Sequence, residues 1–277
     1  MEQDDAQAVK WYRKAAEQND TDAQFALALC YAQGLGVVQN DMMAEKWWRK
    51  AAEQNHAWAQ FNLGNSYANG QGVEKDYAEA VKWYRKAAEQ NYATAQFNLG
   101  RCYYNGEGVE KDYAEAVKWF RKAAEQNDTN AQFALALCYN QGQGVVQNDM
   151  MAEKWWRKAA EQNHAWAQFN LGFSYATGQG VEKDYAEAVK WYRKAAEQND
   201  TDAQYALALC YDQGQGVEKD YLEAYAWYNL AAKTEEIAAK NRDDLEKKMC
   251  PQQVADAQKR TKELREQIEA KLKSGGK

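Results

Sequence analysis

Few residues in this chain could do covalent or metal chemistry. Five cysteines stand at Cys30, Cys102, Cys138, Cys210 and Cys250, and the only histidines are His56 and His164. A thiolate nucleophile or a zinc site needs a base or further ligands at short spacing. No C-x2-C pair and no HExxH is present. Serine occurs only as Ser66, Ser174 and Ser274. Gly64-Asn65-Ser66-Tyr67-Ala68 lacks the second glycine of a nucleophile elbow. Loops such as Gly70-Gln71-Gly72-Val73 are too short to cradle a phosphate, and they follow a helical segment where that motif follows a strand. The many carboxylates sit beside lysines at helical spacing, the pattern of a solvated face. No nucleophile–base set emerges, so no enzyme, metal or cofactor is expected.

The elements carrying these residues are strictly periodic. AAEQN begins at Ala15, Ala51, Ala87, Ala123, Ala159 and Ala195, and AAKT at Ala231, a step of 36 residues without slippage. Asp20 to Asn91 is nearly copied three steps on, as Asp128 to Asn199. The exchanges are Asp22 to Asn130, Ala32 to Asn140, Leu35 to Gln143, Asn65 to Phe173 and Asn69 to Thr177. A block duplication produces this, and so does a consensus-engineered chain. His56 and His164 are therefore equivalent positions. At about 10 Å of rise per repeat they lie too far apart to share a metal.

One unit, Ala95 to Asn127, shows the plan. Ala95, Leu99, Gly100 and Tyr103 form an amphipathic stripe on a first helix. Gly106 ends it in the left-handed conformation, Val109 anchors the loop, and Asp112 caps the next helix. On that second helix Tyr113, Ala116, Trp119, Phe120, Ala123 and Ala124 form the buried stripe, and Glu115, Lys118, Arg121 and Lys122 face water. Asn127 closes it. One helix pair cannot bury such stripes, so the units must stack.

These residues resemble the Sel-one-like repeat family, relatives of the tetratricopeptide repeats. The pattern stands here as Ala95, Leu99, Gly100, Tyr103, Gly106, Gly108, Val109, Asp112, Ala116, Trp119, Ala123 and Ala124, and recurs from about Asp4 to Ala232. The resemblance implies an all-α fold, a right-handed superhelical solenoid of two-helix repeats, and use as an adaptor for protein complexes. Some secreted members pair cysteines across one repeat. Here the second-helix positions are alanine, and stacked first helices lie about 8–10 Å apart, so five free thiols are expected. Ala28, Ala136 and Ala208 depart from the family's glycine, and Asn40 and Asn148 from its capping aspartate.

The expected organisation is a solenoid over residues 1–233, one half repeat plus six, followed by a cap and tail over 234–277. The chain opens on a second-type helix, Asp4 to Asn19, which leaves room for an upstream segment. After Ala232 come a charged helix, Thr234 to Met249, and another from Cys250-Pro251. On the latter Val254, Ala257, Thr261, Leu264, Ile268 and Leu272 form a stripe, read as a cap on the last repeat, with a partner or dimerisation helix as the other reading. Lys273 to Lys277 reads as a tail.

Net charge is −6, which argues against a nucleic-acid or membrane-surface binder. No apolar run approaches the roughly 18 residues of a membrane span, and the start has no signal-peptide pattern. Compartment is not legible.

In a nearly invariant repeat, the positions that vary point to binding. They gather on the first helices: Asp22, Trp58, Thr94, Asn130, Trp166, Asp202; then Ala26, Asn62, Asn98, Ala134, Asn170, Ala206. Two further rows carry Asn65, Arg101, Leu137 and Phe173, and Tyr104 and Asn140. In tetratricopeptide-like solenoids first helices line the concave surface. The expected partner-binding residues are Trp58, Asn62, Asn65, Asn98, Arg101, Tyr104, Leu137, Asn140, Trp166, Asn170 and Phe173, and the expected ligand is a protein or extended peptide. The bordering row, Phe25, Phe61, Phe97, Phe133, Phe169 and Tyr205, reads as packing. A structural, self-assembling solenoid that stacks end to end is the alternative.

Overall fold

The structure, a computed structural model, describes residues 2–275. The described residues form fifteen α-helices and no strand, in consecutive pairs, as the sequence predicts. They divide into two compact units. The first is Met1–Ala131 with Gln143–Val145, and the second is Gln132–Gly142 with Val146–Lys277.

The first unit holds α1 (Glu2–Glu17), α2 (Thr21–Gln33), α3 (Asp41–Glu53), α4 (Ala57–Asn69), α5 (Tyr77–Glu89), α6 (Ala93–Asn105), α7 (Tyr113–Glu125) and the opening of α8 (Thr129–Gln141). First helices α2, α4 and α6 pack on second helices α3, α5 and α7 of their own repeats, and α2, α4 and α6 also contact the preceding α1, α3 and α5. Local chemistry sets the boundaries. The Asp76 carboxylate accepts from the Ala78 and Glu79 amides at 2.8 and 3.1 Å, and Asn40 from Met43 at 3.0 Å. Such caps contribute about 1 kcal/mol each. Asn19, Asn55, Asn91 and Asn127 take positive φ between the second helix of one repeat and the first of the next. Asparagine tolerates that region better than most residues.

Two glycines explain the close packing. A Cβ on Gly64 would lie 2.6 Å from the Tyr84 ring, and one on Gly100 would lie 2.7 Å from the Phe120 ring. A Cβ on Gly72, the second loop glycine (φ +73°), would lie 2.2 Å from the Asp41 carbonyl oxygen. Each such loop therefore rests on the opening of the second helix in the repeat before.

Polar ties run between repeats as well. Gln60 is 1% exposed, and its amide donates to the Ala52 carbonyl at 3.1 Å and to Asn55 at 3.2 Å. Its oxygen accepts from Gln90, just past the second helix of its own repeat, at 2.7 Å. Gln24 and Gln96 do the same with Gln54 and Gln126, both at 2.8 Å. Arg85 donates to the Tyr103 hydroxyl at 2.5 Å, as Arg49 does to Tyr67 at 2.6 Å.

The second unit continues with the rest of α8, then α9 (Asp149–Glu161), α10 (Ala165–Thr177), α11 (Tyr185–Ala196), α12 (Thr201–Gln213), α13 (Tyr221–Ala231), α14 (Glu236–Glu246) and α15 (Pro251–Gly275). The same amide tie joins Gln162 to Gln132 and Gln198 to Gln168. Helices α14 and α15 both pack on α13. Ala238, Leu245, Ala257, Leu264 and Ile268 join Trp227 and Tyr228 in one core.

Three expectations need correction. Trp119 is only half-buried, and the enclosed aromatic is its neighbour Phe120, at 2% exposure. Phe120 faces the first-helix glycine, whereas the tryptophan lies at the rim with the Lys122 ammonium 4.2 Å from its ring centroid. Leu272 is 50% exposed and lies outside the packed stripe of α15. Its neighbour Lys271 reaches Glu197, the residue just after α11, at 2.8 Å. The expected tail is helical through Gly275, and Gly276 and Lys277 lie outside the described residues.

Candidate functional site

The first helices present the variable positions, and the stripes above fix which of these reach solvent. In the first unit Trp58, on the opening turn of α4, is 57% exposed. It meets the Phe25 ring edge-on at 5.9 Å and the Tyr92 ring at 6.4 Å. Phe25 stacks on His56 at 4.7 Å. The His56 imidazole caps α4, its Nδ1 accepting the Ala59 N–H at 3.1 Å, and its Nε2 lies 3.5 Å from Asp22. Both histidines cap helices, since His164 Nδ1 accepts from Ala167 at 3.2 Å.

Asn62, Asn65 and Asn98 are half-buried. The Asn65 oxygen accepts from the Tyr84 hydroxyl at 2.7 Å and from the Asn98 amide at 3.5 Å, so these two asparagines are brought together across α4 and α6. Arg101 is exposed and makes no hydrogen bond or ion pair with the described residues. Tyr104 is more engaged than its sequence position suggests. It is half-buried, meets Tyr113 edge-on at 5.0 Å, and donates to Gln143 at 2.5 Å.

In the second unit Trp166 is 63% exposed and Phe173 is 45% exposed. Trp166 lies 6.0 Å from the Phe133 ring and 6.2 Å from His164, which stacks on Phe133. Asn170 turns its amide back to the Trp166 carbonyl at 2.7 Å. Leu137 and Asn140 are half-buried. The phenylalanine row is half-buried too; Phe61, Phe97 and Phe169 lean on second-helix aromatics, as Phe97 does on Phe120 at 5.8 Å, while Phe25 and Phe133 stack on the histidines.

Sequence reasoning missed three neighbours of these residues: His56, Tyr92 and Gln143. The signal for the first two was their place at the starts of first helices, two residues before the varying tryptophan row. A second exposed apolar set, Val38, Met42, Val146 and Met150, was also passed over. It recurs at equivalent positions of both units.

Burial pushes the thiols of Cys102 and Cys210 up to about 11 and that of Cys138 to about 12, which keeps them protonated. All five cysteines are free, as expected. Among the described residues no group of three or more His, Cys, Asp or Glu side chains could hold a metal ion, and no helix is long and apolar enough to cross a membrane.

Comparison with known proteins agrees with this geometry. The Sel1 repeat model matches residues 1–20, 21–56, 59–92, 93–128, 129–164, 167–200 and 201–233. A Sel1 repeat protein from Oxalobacter formigenes is 37% identical over 82% of this chain and 96% of its own, with a TM-score of 0.69. The protein c5321, a protective antigen of uropathogenic Escherichia coli, is 32% identical over 95% of this chain and 72% of its own, with a TM-score of 0.43. The immunity protein Pa5087 from Pseudomonas aeruginosa is 22% identical over 77% of this chain and 81% of its own, with a TM-score of 0.46. No curated protein matches.

Proposed function

The chain belongs to the Sel1 repeat family, and from that premise we propose that it is a protein- or peptide-binding scaffold that uses its first-helix faces and not an enzyme. The observation that carries this reading is the exposure of Trp58 and Trp166 at positions where equivalent repeats hold Asp, Thr or Asn, with Phe173 exposed where they hold Leu, Asn or Arg. A side chain needed for packing does not alternate with such polar residues, and large aromatics held on rigid helices are the usual anchors of an interface.

In the first unit the contact set is Trp58, Asn62, Asn65, Asn98, Arg101 and Tyr104. Trp58 supplies apolar area. Arg101, lacking a carboxylate partner of its own, suits an acidic side chain or a terminal carboxylate on the ligand. Asn62 and Asn98 offer amides to an extended backbone, while Asn65 and Tyr104 hold the surface in shape. In the second unit the set is Leu137, Asn140, Trp166, Asn170 and Phe173, with Trp166 and Phe173 as anchors.

The test is capture of partners from a source lysate by the intact protein and by a Trp58→Ala, Arg101→Ala double variant. Loss of a captured protein at unchanged melting temperature supports the reading. Unaltered capture by that variant, with loss from a second-helix variant such as Lys118→Glu, sinks it.

A further inference from the structure

Five of the six first helices open on a side-chain cap. Asp20, Asp128 and Asp200 accept the backbone N–H three residues on at 2.7, 2.8 and 2.8 Å, and His56 and His164 do so through Nδ1 at 3.1 and 3.2 Å. Tyr92 stands at that position before α6 and makes no side-chain cap. Giving up a cap costs stability, so the needs of the helix do not account for this tyrosine. Its ring extends an aromatic surface instead. It lies 6.4 Å from Trp58 and meets Phe61 edge-on at 5.2 Å, and Trp58 in turn meets Phe25 at 5.9 Å. A carboxylate stands at the edge of this surface. The Asp22 side chain is 94% exposed and lies 3.5 Å from Nε2 of His56, which stacks on Phe25. Asn130 and Asp202, at the same step of later repeats, are exposed as well, so the exposure belongs to the position and not to its nearness to the first residue. The rings also lack a cation. On the second helices Trp47, Trp83 and Trp119 each hold a lysine over the ring, at 4.4, 4.0 and 4.2 Å from the centroid. Among the described residues no lysine or arginine lies over Phe25, Trp58 or Tyr92.

We propose that this surface recognises a basic side chain of the ligand, an arginine or lysine whose charge lies over the Trp58 and Tyr92 rings and pairs with Asp22. The proposal rests on the first-helix binding face proposed above and names what its Trp58 end takes. Ring faces carry negative potential and attract a cation, arginine above all, because its planar guanidinium also stacks. An apolar occupant is disfavoured here. Covering the rings would strip water from the Asp22 carboxylate without giving it a partner, and a basic side chain supplies that partner. Arg101, in the second half of α6, suits the opposite charge. The ligand of the first unit therefore carries both signs, basic toward the start of α4 and acidic toward the end of α6.

The probes are Nα-acetyl-arginine methylamide and its citrulline counterpart, which has nearly the same shape without the charge. Each is titrated into the full chain at pH 8 and low salt, and the indole N–H signals are followed by NMR. The Trp58 signal is assigned by its loss in Trp58→Ala. The arginine compound is expected to shift that signal saturably in the millimolar range, and the citrulline compound to leave it in place. Asp22→Asn, the exchange the chain itself carries at Asn130, should weaken binding by about threefold or more. Tyr92→Asn removes the ring and restores a neutral cap, so it should weaken binding by about twofold or more at an unchanged or higher melting temperature. Equal shifts by the two compounds, no shift of Trp58 by the arginine compound, or full affinity in either variant overturns the proposal. The face itself is scored separately by the capture experiment. A partner lost from the Trp58→Ala, Arg101→Ala variant keeps the face even where the preference for a cation falls.

Discussion

Trp83 and Trp58 lie in the same unit, on adjacent helices α5 and α4, and have opposite surroundings. Trp83 recurs as Trp47 and Trp119 in the flanking repeats and is 7% exposed, packed with Ala51, Ala52, Ala59 and Leu63. Trp58 is replaced by Asp22 and Thr94 in its neighbours and is 57% exposed. The residue type is the same, so hydrophobicity cannot separate the two. Recurrence can. A side chain that every repeat needs for stacking reappears at each 36-residue step, while one presented to a partner is free to change.

This contrast can be broken by mutation. Trp83→Ala should cost about 3–5 kcal/mol in chemical denaturation, the range for a large aromatic lost from a core. Phe120→Ala should match it, and Trp119→Ala should cost clearly less, because its rim position lets water replace part of the ring. Equal losses from Phe120→Ala and Trp119→Ala would remove the distinction between enclosed and rim aromatics.

Gln96→Leu comes next. It leaves the Ala88 carbonyl, the Asn91 side chain and the Gln126 amide without their shared partner. Each keeps a second partner, since the Asn91 backbone amide still donates to Ala88 and Gln126 still donates to Asn91, so a cost of about 0.5–1.5 kcal/mol is expected for the hydrogen bonds lost. A neutral result would show that the amide ties contribute no stability and that apolar packing alone holds the repeats.

The pH dependence is smaller. Burial pushes the His164 imidazole below its ordinary value, and its Nδ1 must stay unprotonated to accept from Ala167. The unfolded chain therefore takes up the proton first. The contribution of this residue is complete above the unfolded value of about 6.5 and is lost as pH falls below it. Urea midpoints measured between pH 7.5 and 5.5 should fall with pH, and less steeply in His164→Asn, since asparagine caps without titrating.

The smallest effect belongs to the presented residue. Trp58→Ala should change stability by no more than about 0.5 kcal/mol, as surface substitutions do. A loss comparable to that of Trp83→Ala would show that Trp58 is a packing residue and remove the main support for a binding face in the first unit.

Much of the fold was legible because the repeat multiplies weak local signals. The left-handed asparagines, the loop glycines and the capping aspartates each carry their conformation in their own chemistry, so Asn127, Gly106 and Asp112 could be read one at a time. The side-chain ties within and between repeats could not. Gln60 meets Gln90 thirty residues on, and Arg85 meets Tyr103 eighteen residues on, spacings that no helical periodicity points to. For the same reason Gln96 reads as a surface residue beside Ala95, although it is 1% exposed. At the candidate site the exposed aromatics were found from their variation alone. The engagement of Tyr104 with Gln143 was not, because it depends on where the next loop lands.

The loop glycines bear on how such a chain changes length. Gly72 rests on the opening of α3, Gly108 on that of α5 and Gly144 on that of α7, always one repeat back. A repeat therefore carries both halves of the joint, the glycine it offers to the repeat before and the helix opening it offers to the repeat after. Unequal recombination that adds or removes whole multiples of 36 residues creates junctions identical to those already present, whereas any other length leaves a side chain where only hydrogen fits. The two-repeat copy from Asp128 to Asn199, standing three repeats on from Asp20 to Asn91, is an outcome this joint permits, and a gene built on it can lengthen or shorten in whole steps while keeping the same junctions.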